Sequence, residues 1–284
     1  MTTTTHQNTN FATSTGTALA EASWLDVHFE AMRPEYEEAL RWVGIQRGWH
    51  VLDAACGSGS YLPLLTELVG YNGRVSAMDI APEHVQTIAQ RANSNEWAAP
   101  VEARLGNLLQ LPYDDASFEA TWCANTTQYL TDAELEIALR ELVRVTRPGG
   151  LVAIKDNDIT ALQIQPSPTQ LFARFYEAWR AAGNVGAHGC LRTVQLGTYL
   201  QRVGLREVCQ RHFPMVRSTP LRAVERRLIT DFLKFVGSVA SSLNLAAEDN
   251  HLLARLADSD APDHITNRPD FMFREVQIVF VGRV

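Results

Sequence analysis

The sequence predicts an α/β fold built on a doubly wound, mostly parallel sheet, and three observations predict it. Strand-like apolar runs alternate with amphipathic helical stretches from Trp49 to Ile154, a rhythm parallel sheets need because each crossover carries a helix. The first run ends in a glycine turn, Gly57-Ser58-Gly59, that opens directly into a helical pattern. An acidic residue, Asp79, closes the second run 20 positions after Gly59.

Element by element, residues 1–20 are rich in Thr, Asn and Ala without Asp, Glu, Lys or Arg, so a flexible leader is expected there. Residues 21–45 suggest helices, from Trp24 to Val43, that contribute to a lid. A core unit over 46–157 then begins. Trp49 to Ala54 is the first strand, and Tyr61, Leu64, Leu65 and Leu68 follow at helical spacing. Arg74 to Asp79 is the second strand; Pro82 stands where a helix starts, with Val85, Ile88, Ala89 and Ala92 on one face. Val101 to Leu105 and Phe118 to Ala124 are the third and fourth. Thr131-x-x-Glu134 is a capping-box signature for a helix with Leu135, Leu139, Leu142 and Val143 inward. Pro148-Gly149-Gly150 ends that helix, and Leu151 to Ile154 is the fifth strand.

The alternation then breaks. Residues 158–191 read as a cap insertion: an aromatic stripe of Phe172, Phe175, Tyr176 and Trp179, expected to pack the lid on the core, then a loop carrying Gly183, Gly186 and Gly189. Residues 192–217 return to the core with the helix of Leu196, Tyr199, Leu200 and Val203 and the strand Leu205 to Cys209. Residues 218–270 form a helical cap, and 271–284 hold the last strand, Val276 to Val281, the seventh.

Composition narrows the function classes. At 46% hydrophobic and 20% charged, the 284-residue chain falls in the ordinary globular range. No apolar run approaches the ~18 residues of a spanning helix, so no membrane insertion is expected and the cytoplasm is the default location. The four cysteines, Cys56, Cys123, Cys190 and Cys209, form no C-x-x-C pair, which favours free buried thiols over a metal site. A net charge of −7 argues against nucleic acid. The densest basic stretch, Arg222, Arg226 and Arg227, is interrupted by Glu225 and reads as a solvated helix face.

The glycines let the backbone approach a ligand at the start of a helix, and the Asp79 carboxylate is placed to grip ribose hydroxyls. Two features depart from a dinucleotide site: Leu62 stands where the third glycine of G-x-G-x-x-G belongs, and Asp53 ends the strand before the turn. An anion there repels a diphosphate but suits a ligand carrying an ammonium and a sulfonium.

In these motifs the chain resembles the class I S-adenosylmethionine-dependent methyltransferases. Asp53-x-x-x-Gly57-x-Gly59 matches their first motif and Asp79 the acidic residue of the second. Arg104 to Leu108 resembles the third, with Leu111-Pro112-Tyr113-Asp114-Asp115 after it. Cys123 to Thr126 occupies the fourth, and Arg144 to Gly150 resembles the junction before the fifth strand. The resemblance implies a Rossmann-like seven-stranded sheet with an antiparallel last strand and S-adenosylmethionine as cofactor. It places Gly57 and Gly59 at the methionine end with Asp53, Asp79 on the ribose, and Ile80 and Leu108 about the adenine. Asn107 meets the adenine amino group, where the family commonly has Asp, and Asn125 lies near the sulfonium. Ala54, Ser58, Gly106 and Thr126 complete the implied cofactor set.

Ligands of open α/β sheets bind beyond the carboxyl ends of the strands, which puts the methyl acceptor near Asn125 to Tyr129 and Lys155 to Asp158. Asp156 by its topology and His188 by its glycine-rich loop are the candidate catalytic bases, ahead of Asp158, His28 and His212. The apolar cap favours a small aromatic or lipophilic acceptor, as in secondary metabolism. A cofactor-binding scaffold with non-methylating, cyclase-like chemistry shares the same motifs; a nicotinamide oxidoreductase is disfavoured by Asp53 and Leu62. Homo-oligomerisation through the N-terminal segment is a further expectation.

Overall fold

A computed structural model of the chain describes residues 22–94 and 96–284. The expected leader, residues 1–20, lies outside them. Two short helices, α1 (Ala22–Ala31) and α2 (Arg33–Trp42), precede the sheet. The core then runs β1 (His50–Ala54), α3 (Leu62–Val69), β2 (Arg74–Asp79), α4 (Pro82–Asn93), β3 (Val101–Leu105), β4 (Phe118–Ala124), α5 (Asp132–Val145) and β5 (Thr146–Asn157). The Thr131 hydroxyl accepts from the Glu134 N–H while the Glu134 carboxylate accepts from the Thr131 N–H, the reciprocal cap expected at the start of α5.

After β5 come β6 (Gln163–Gln165), α6 (Leu171–Ala181), α7 (Val185–Arg192), α8 (Leu196–Arg202), β7 (Arg206–Ser218), α9 (Ala223–Ala240), α10 (Ala247–Ala257) and β8 (Met272–Arg283). The sheet order is β3-β2-β1-β4-β5-β8, parallel through β5 and antiparallel from β5 to β8. One edge of β8 is shared by β5 and β6; β7 lines the other. The sheet therefore has eight strands, not seven, because the cap insertion adds the three-residue β6.

Three further differences have physical causes. The glycine-rich segment expected as a loop is the helix α7, since a Cβ on Gly189 would stand 2.2 Å from the Gln128 carbonyl oxygen: the glycine serves close packing, not a bend. Strand β7 runs nine residues past Cys209, to Ser218, and holds His212 within it. Of the four thiols only Cys56 and Cys123 are buried; Cys209 is exposed on the outer strand.

Two apolar clusters cover the two sheet faces. On one, α5 and α8 pack through Leu135, Leu139, Leu196 and Leu200. The other carries the cap: Tyr36 and Leu40 from α2, Phe172 and Phe175 from α6, Leu228 and Leu233 from α9, against Trp122, Val279 and Phe273 of the strands. Among the described residues no helix is long and apolar enough to cross a membrane.

Candidate functional site

The turn after β1 brings three expected residues together. Gly57 (φ 54°) and Gly59 (φ 80°) both adopt left-handed backbone, as does Ala55 (φ 61°). A Cβ on Gly59 would lie 2.8 Å from a Leu62 methyl, so the helix starts directly behind the turn. Asp79, at the end of the neighbouring β2, ties the turn down: its Oδ2 accepts from Gly57 N–H at 2.8 Å and its Oδ1 from Ala81 N–H at 2.9 Å. The His84 ring nitrogen stands 3.4 Å from that Oδ1, and the carboxylate raises the affinity of His84 for its proton.

Asp53 sits behind this turn, 2% exposed, with Oδ2 lacking any hydrogen-bond partner. Burial, and secondarily the Asp79 carboxylate, push its pKa up to about 8. An unpartnered buried acceptor costs about 1–3 kcal/mol, and a donor bearing positive charge removes that cost. Tyr61, at the start of α3, presents a second buried orphan, its hydroxyl.

The remaining residues expected around the turn lie at the carboxyl ends of β2, β3 and β4. Ile80 is 39% exposed and Leu108 is buried. Gly106 N–H donates to the Asp79 carbonyl. Asn107 closes its own turn, its Oδ1 accepting from Leu109 N–H at 2.9 Å, which leaves one oxygen lone pair. Thr126 donates to the Ala124 carbonyl. Helix α1 covers the turn: the Ser58 hydroxyl donates to Asp26 Oδ1 at 2.8 Å, and a Leu25 methyl stands 3.0 Å from the Cβ position of Gly57. Two cavities, of about 310 and 110 Å³, lie at the opposite end of the sheet, lined by residues such as Trp49, Leu151 and Arg47.

A methyltransferase-domain family model matches residues 51–150. Over that stretch, about a third of the chain, the protein is similar to methyltransferase domains. Over 120 residues, 42% of this chain and 45% of the relative, the protein is 33% identical to the chloroplastic 2-phytyl-1,4-beta-naphthoquinone methyltransferase of Arabidopsis thaliana. It is 26% identical over 153 residues to the demethylmenaquinone methyltransferase of Staphylococcus aureus, 52% of this chain and 60% of that one. The chain thus spans about half the length of the curated relatives it matches. Among solved structures, a SAM-dependent methyltransferase from Aquifex aeolicus superposes with a TM-score of 0.52 at 19% identity, covering 92% of this chain and 99% of that one. At that identity the likeness is one of fold.

Against this methyltransferase frame the two expected bases part company. Asp156 is buried on the α5 face of β5, and its Oδ2 accepts from both the N–H and the hydroxyl of Thr127. Burial raises its pKa while those bonds oppose the rise. His188 stands apart, half exposed on α7, with Nε2 3.0 Å from Asp132 Oδ1, a carboxylate it shares with Arg192. Asp158 caps the turn at Thr160.

On the other face stands a group of which sequence reasoning named Asn125, His28 and the segment from Lys155, without assigning a role to the Lys155 amine. Lys155, wholly buried, donates from Nζ to Asn125 Oδ1 at 2.6 Å and lies 3.8 Å from the centre of the Tyr36 ring. The Tyr36 hydroxyl also bonds Asn125 and lies 3.0 Å from His28 Nδ1. Burial, then Lys155, lowers the His28 pKa to about 3, so that ring is neutral. Glu275 and Gln277 of β8 flank the group, the Gln277 amide donating to Glu275 Oε1 at 2.5 Å. The signal was available: of 25 basic residues only Lys155 and Lys234 are lysine, and Lys155 follows an unbroken apolar run.

Proposed function

We propose that this protein transfers a methyl group from S-adenosylmethionine to a small lipophilic acceptor. The observation that carries the reading is the unpartnered Asp53 carboxylate buried behind the Gly57–Gly59 turn. When bound, the cofactor supplies an electrophilic methyl group on a sulfonium. Asp53 holds its ammonium, Gly57 and Gly59 let the backbone approach, and Asp79 accepts from the ribose hydroxyls with the lone pairs left by Gly57 and Ala81. Ile80 and Leu108 offer apolar surface to the base.

The acceptor belongs on the cap face, where Tyr36, Trp122, Phe172 and Phe175 make an apolar, aromatic roof. Closure of that roof excludes water, and methyl transfer needs little more than an acceptor oriented against the methyl carbon. The naphthoquinone and menaquinone names of the relatives agree with an acceptor of this kind.

Thermal unfolding and labelled-methyl turnover test the reading. S-adenosylhomocysteine at 100 times its Kd should stabilise the fold by about 2.7 kcal/mol, and NADH should not. Methyl label from S-adenosylmethionine should appear in a reduced naphthoquinone. Stabilisation by NADH alone refutes the cofactor, and binding without any label transfer refutes the reaction.

A further inference from the structure

The cap-side face of β5 and β8 carries a buried polar group in an otherwise apolar roof. Lys155 and Asn157 share that face by strand alternation, and so do Gln277 and Glu275; the register pairs Asn157 with Gln277 and Lys155 with Val279. Lys155 and Gln277 are thus diagonal neighbours about 7–8 Å apart at the backbone. Asn157 Oδ1 and Gln277 Oε1 are buried with no hydrogen-bond partner, and the Gln277 amide is oriented by its bond to Glu275. Two orphan acceptors therefore stand beside a buried amine.

That amine has an unusual environment. Nζ has one neutral acceptor, Asn125, and an aromatic face, Tyr36, and none of the ion pairs among the described residues includes it. The surrounding titratable groups are Glu275 of β8, Asp156 on the far face of β5, His28 of α1, Tyr36 of α2 and Tyr61 of α3, with Arg217 of β7 behind Glu275. Burial lowers the Lys155 pKa and raises that of Glu275, so both shed their charges readily in the closed site. Arginine, the cation used nearly everywhere else in this chain, stays protonated and could not act in this way.

We propose that Lys155 binds the oxygen of a phenol-like hydroxyl on the methyl acceptor and takes its proton, while one of the two orphan oxygens, Asn157 Oδ1 or Gln277 Oε1, accepts from a second hydroxyl of the same molecule. The acceptor is then an aromatic or enolic diol, a class that includes reduced quinones. In the proton transfer the O–H bond breaks with its electron pair left on oxygen, and the Nζ lone pair forms the new N–H bond. The products are an oxyanion and an ammonium held together in a dry site, which raises the nucleophilicity of the acceptor. Asn125 fixes Nζ from one side, and the chain Asn125, Tyr36, His28 fixes Asn125.

The proposal rests on the methyltransferase reading for the identity of the acceptor, but its test needs no turnover. 4-Nitrophenol absorbs differently as phenol and phenolate. Bound to the wild-type protein without cofactor, it should ionise about one to three pH units below its free value. K155M should abolish that displacement, whereas K155R, a fixed cation, should keep the displacement that comes from charge but, unable to take a proton, should release the phenol proton to solvent instead of holding it. A bound probe that titrates like the free one, the same displacement in K155M, or no binding at millimolar probe overturns the proposal. Calorimetry with S-adenosylhomocysteine on the same proteins keeps two failures apart. Tight binding with no phenolate signature removes only the role of Lys155, and no binding to wild type removes the cofactor reading. It also verifies that K155M is folded.

Discussion

Asp53 and Lys155 are opposite cases of one physical rule, that a charge taken out of water holds its proton differently unless a partner is supplied. For Asp53 the consequence can be measured. Its pKa is near 8 in the folded, ligand-free chain and near 4 when unfolded. The folded state then binds the extra proton, so this group's contribution is complete below about pH 4 and declines as pH rises towards about 8. Binding an ammonium demands the carboxylate, so affinity for S-adenosylhomocysteine should climb between about pH 6 and pH 8, at most tenfold per pH unit. Asp53→Asn should flatten that slope and weaken binding near pH 8. Calorimetric titration across the range checks both, and an unchanged slope in the variant would remove Asp53 from the ammonium site. Asp53 was legible because its motif spacing is contiguous. Lys155 carried a signal, a rare lysine after an apolar run, but not its meaning, which depends on Glu275 and Tyr36, more than 100 residues away in opposite directions along the chain.

At the level of elements, periodic segments were readable and pieces defined by their neighbours were not. Strands β1 to β5 and helix α5 announce themselves through apolar period and the Thr131 cap. Helix α7 does not, because Gly186 and Gly189 read as a turn until the backbone of Gln128 is seen against Gly189. Strand β7 buries only Phe213 and Met215, so its apolar signal is faint, and Pro214 is tolerated there because the strand lies at the sheet edge. Helix α1 is the piece with functional weight. Asp26 accepts from Ser58 at 2.8 Å and from Ser60 at 3.4 Å, holding the helix over the glycine turn. A gate at α1 would require that latch to open. Asp26→Ala removes bonds worth about 0.5–1.5 kcal/mol, and the rates of S-adenosylhomocysteine association and release should rise about two- to tenfold together, leaving Kd nearly constant. Stopped-flow tryptophan fluorescence reads this, and unaltered rates would mean that α1 is not the gate.

For the molecule as a whole, the proposed cofactor half is one continuous stretch, 51–150, whereas the proposed acceptor half is assembled from α1, α2, the end of β5, α6, α9 and β8. The cap helices are held to the sheet edge by apolar contacts and by a part-buried ionic cluster. Arg217 of β7, 10% exposed, forks onto Glu35 of α2 at 2.7 and 2.8 Å, meets Glu225 of α9 at 2.9 Å, and donates to the Ala31 carbonyl at the end of α1. One guanidinium thus ties three cap helices to the sheet edge. Replacing it with Met leaves Glu35 without a counter-ion and Glu225 with Arg222 alone, a change that costs about 3–5 kcal/mol and should lower Tm by about 6–15 °C. The triple replacement of Arg217, Glu35 and Glu225 by apolar residues of similar volume should recover most of that loss, since the charges leave together. The functional signature should be asymmetric: calorimetric affinity for S-adenosylhomocysteine stays within a few-fold of wild type, while the acceptor KM rises because the roof over Lys155 is loosened. A Tm drop below about 2 °C, or equal losses of cofactor and acceptor binding, would show that the cap is held by its apolar contacts and not by this arginine.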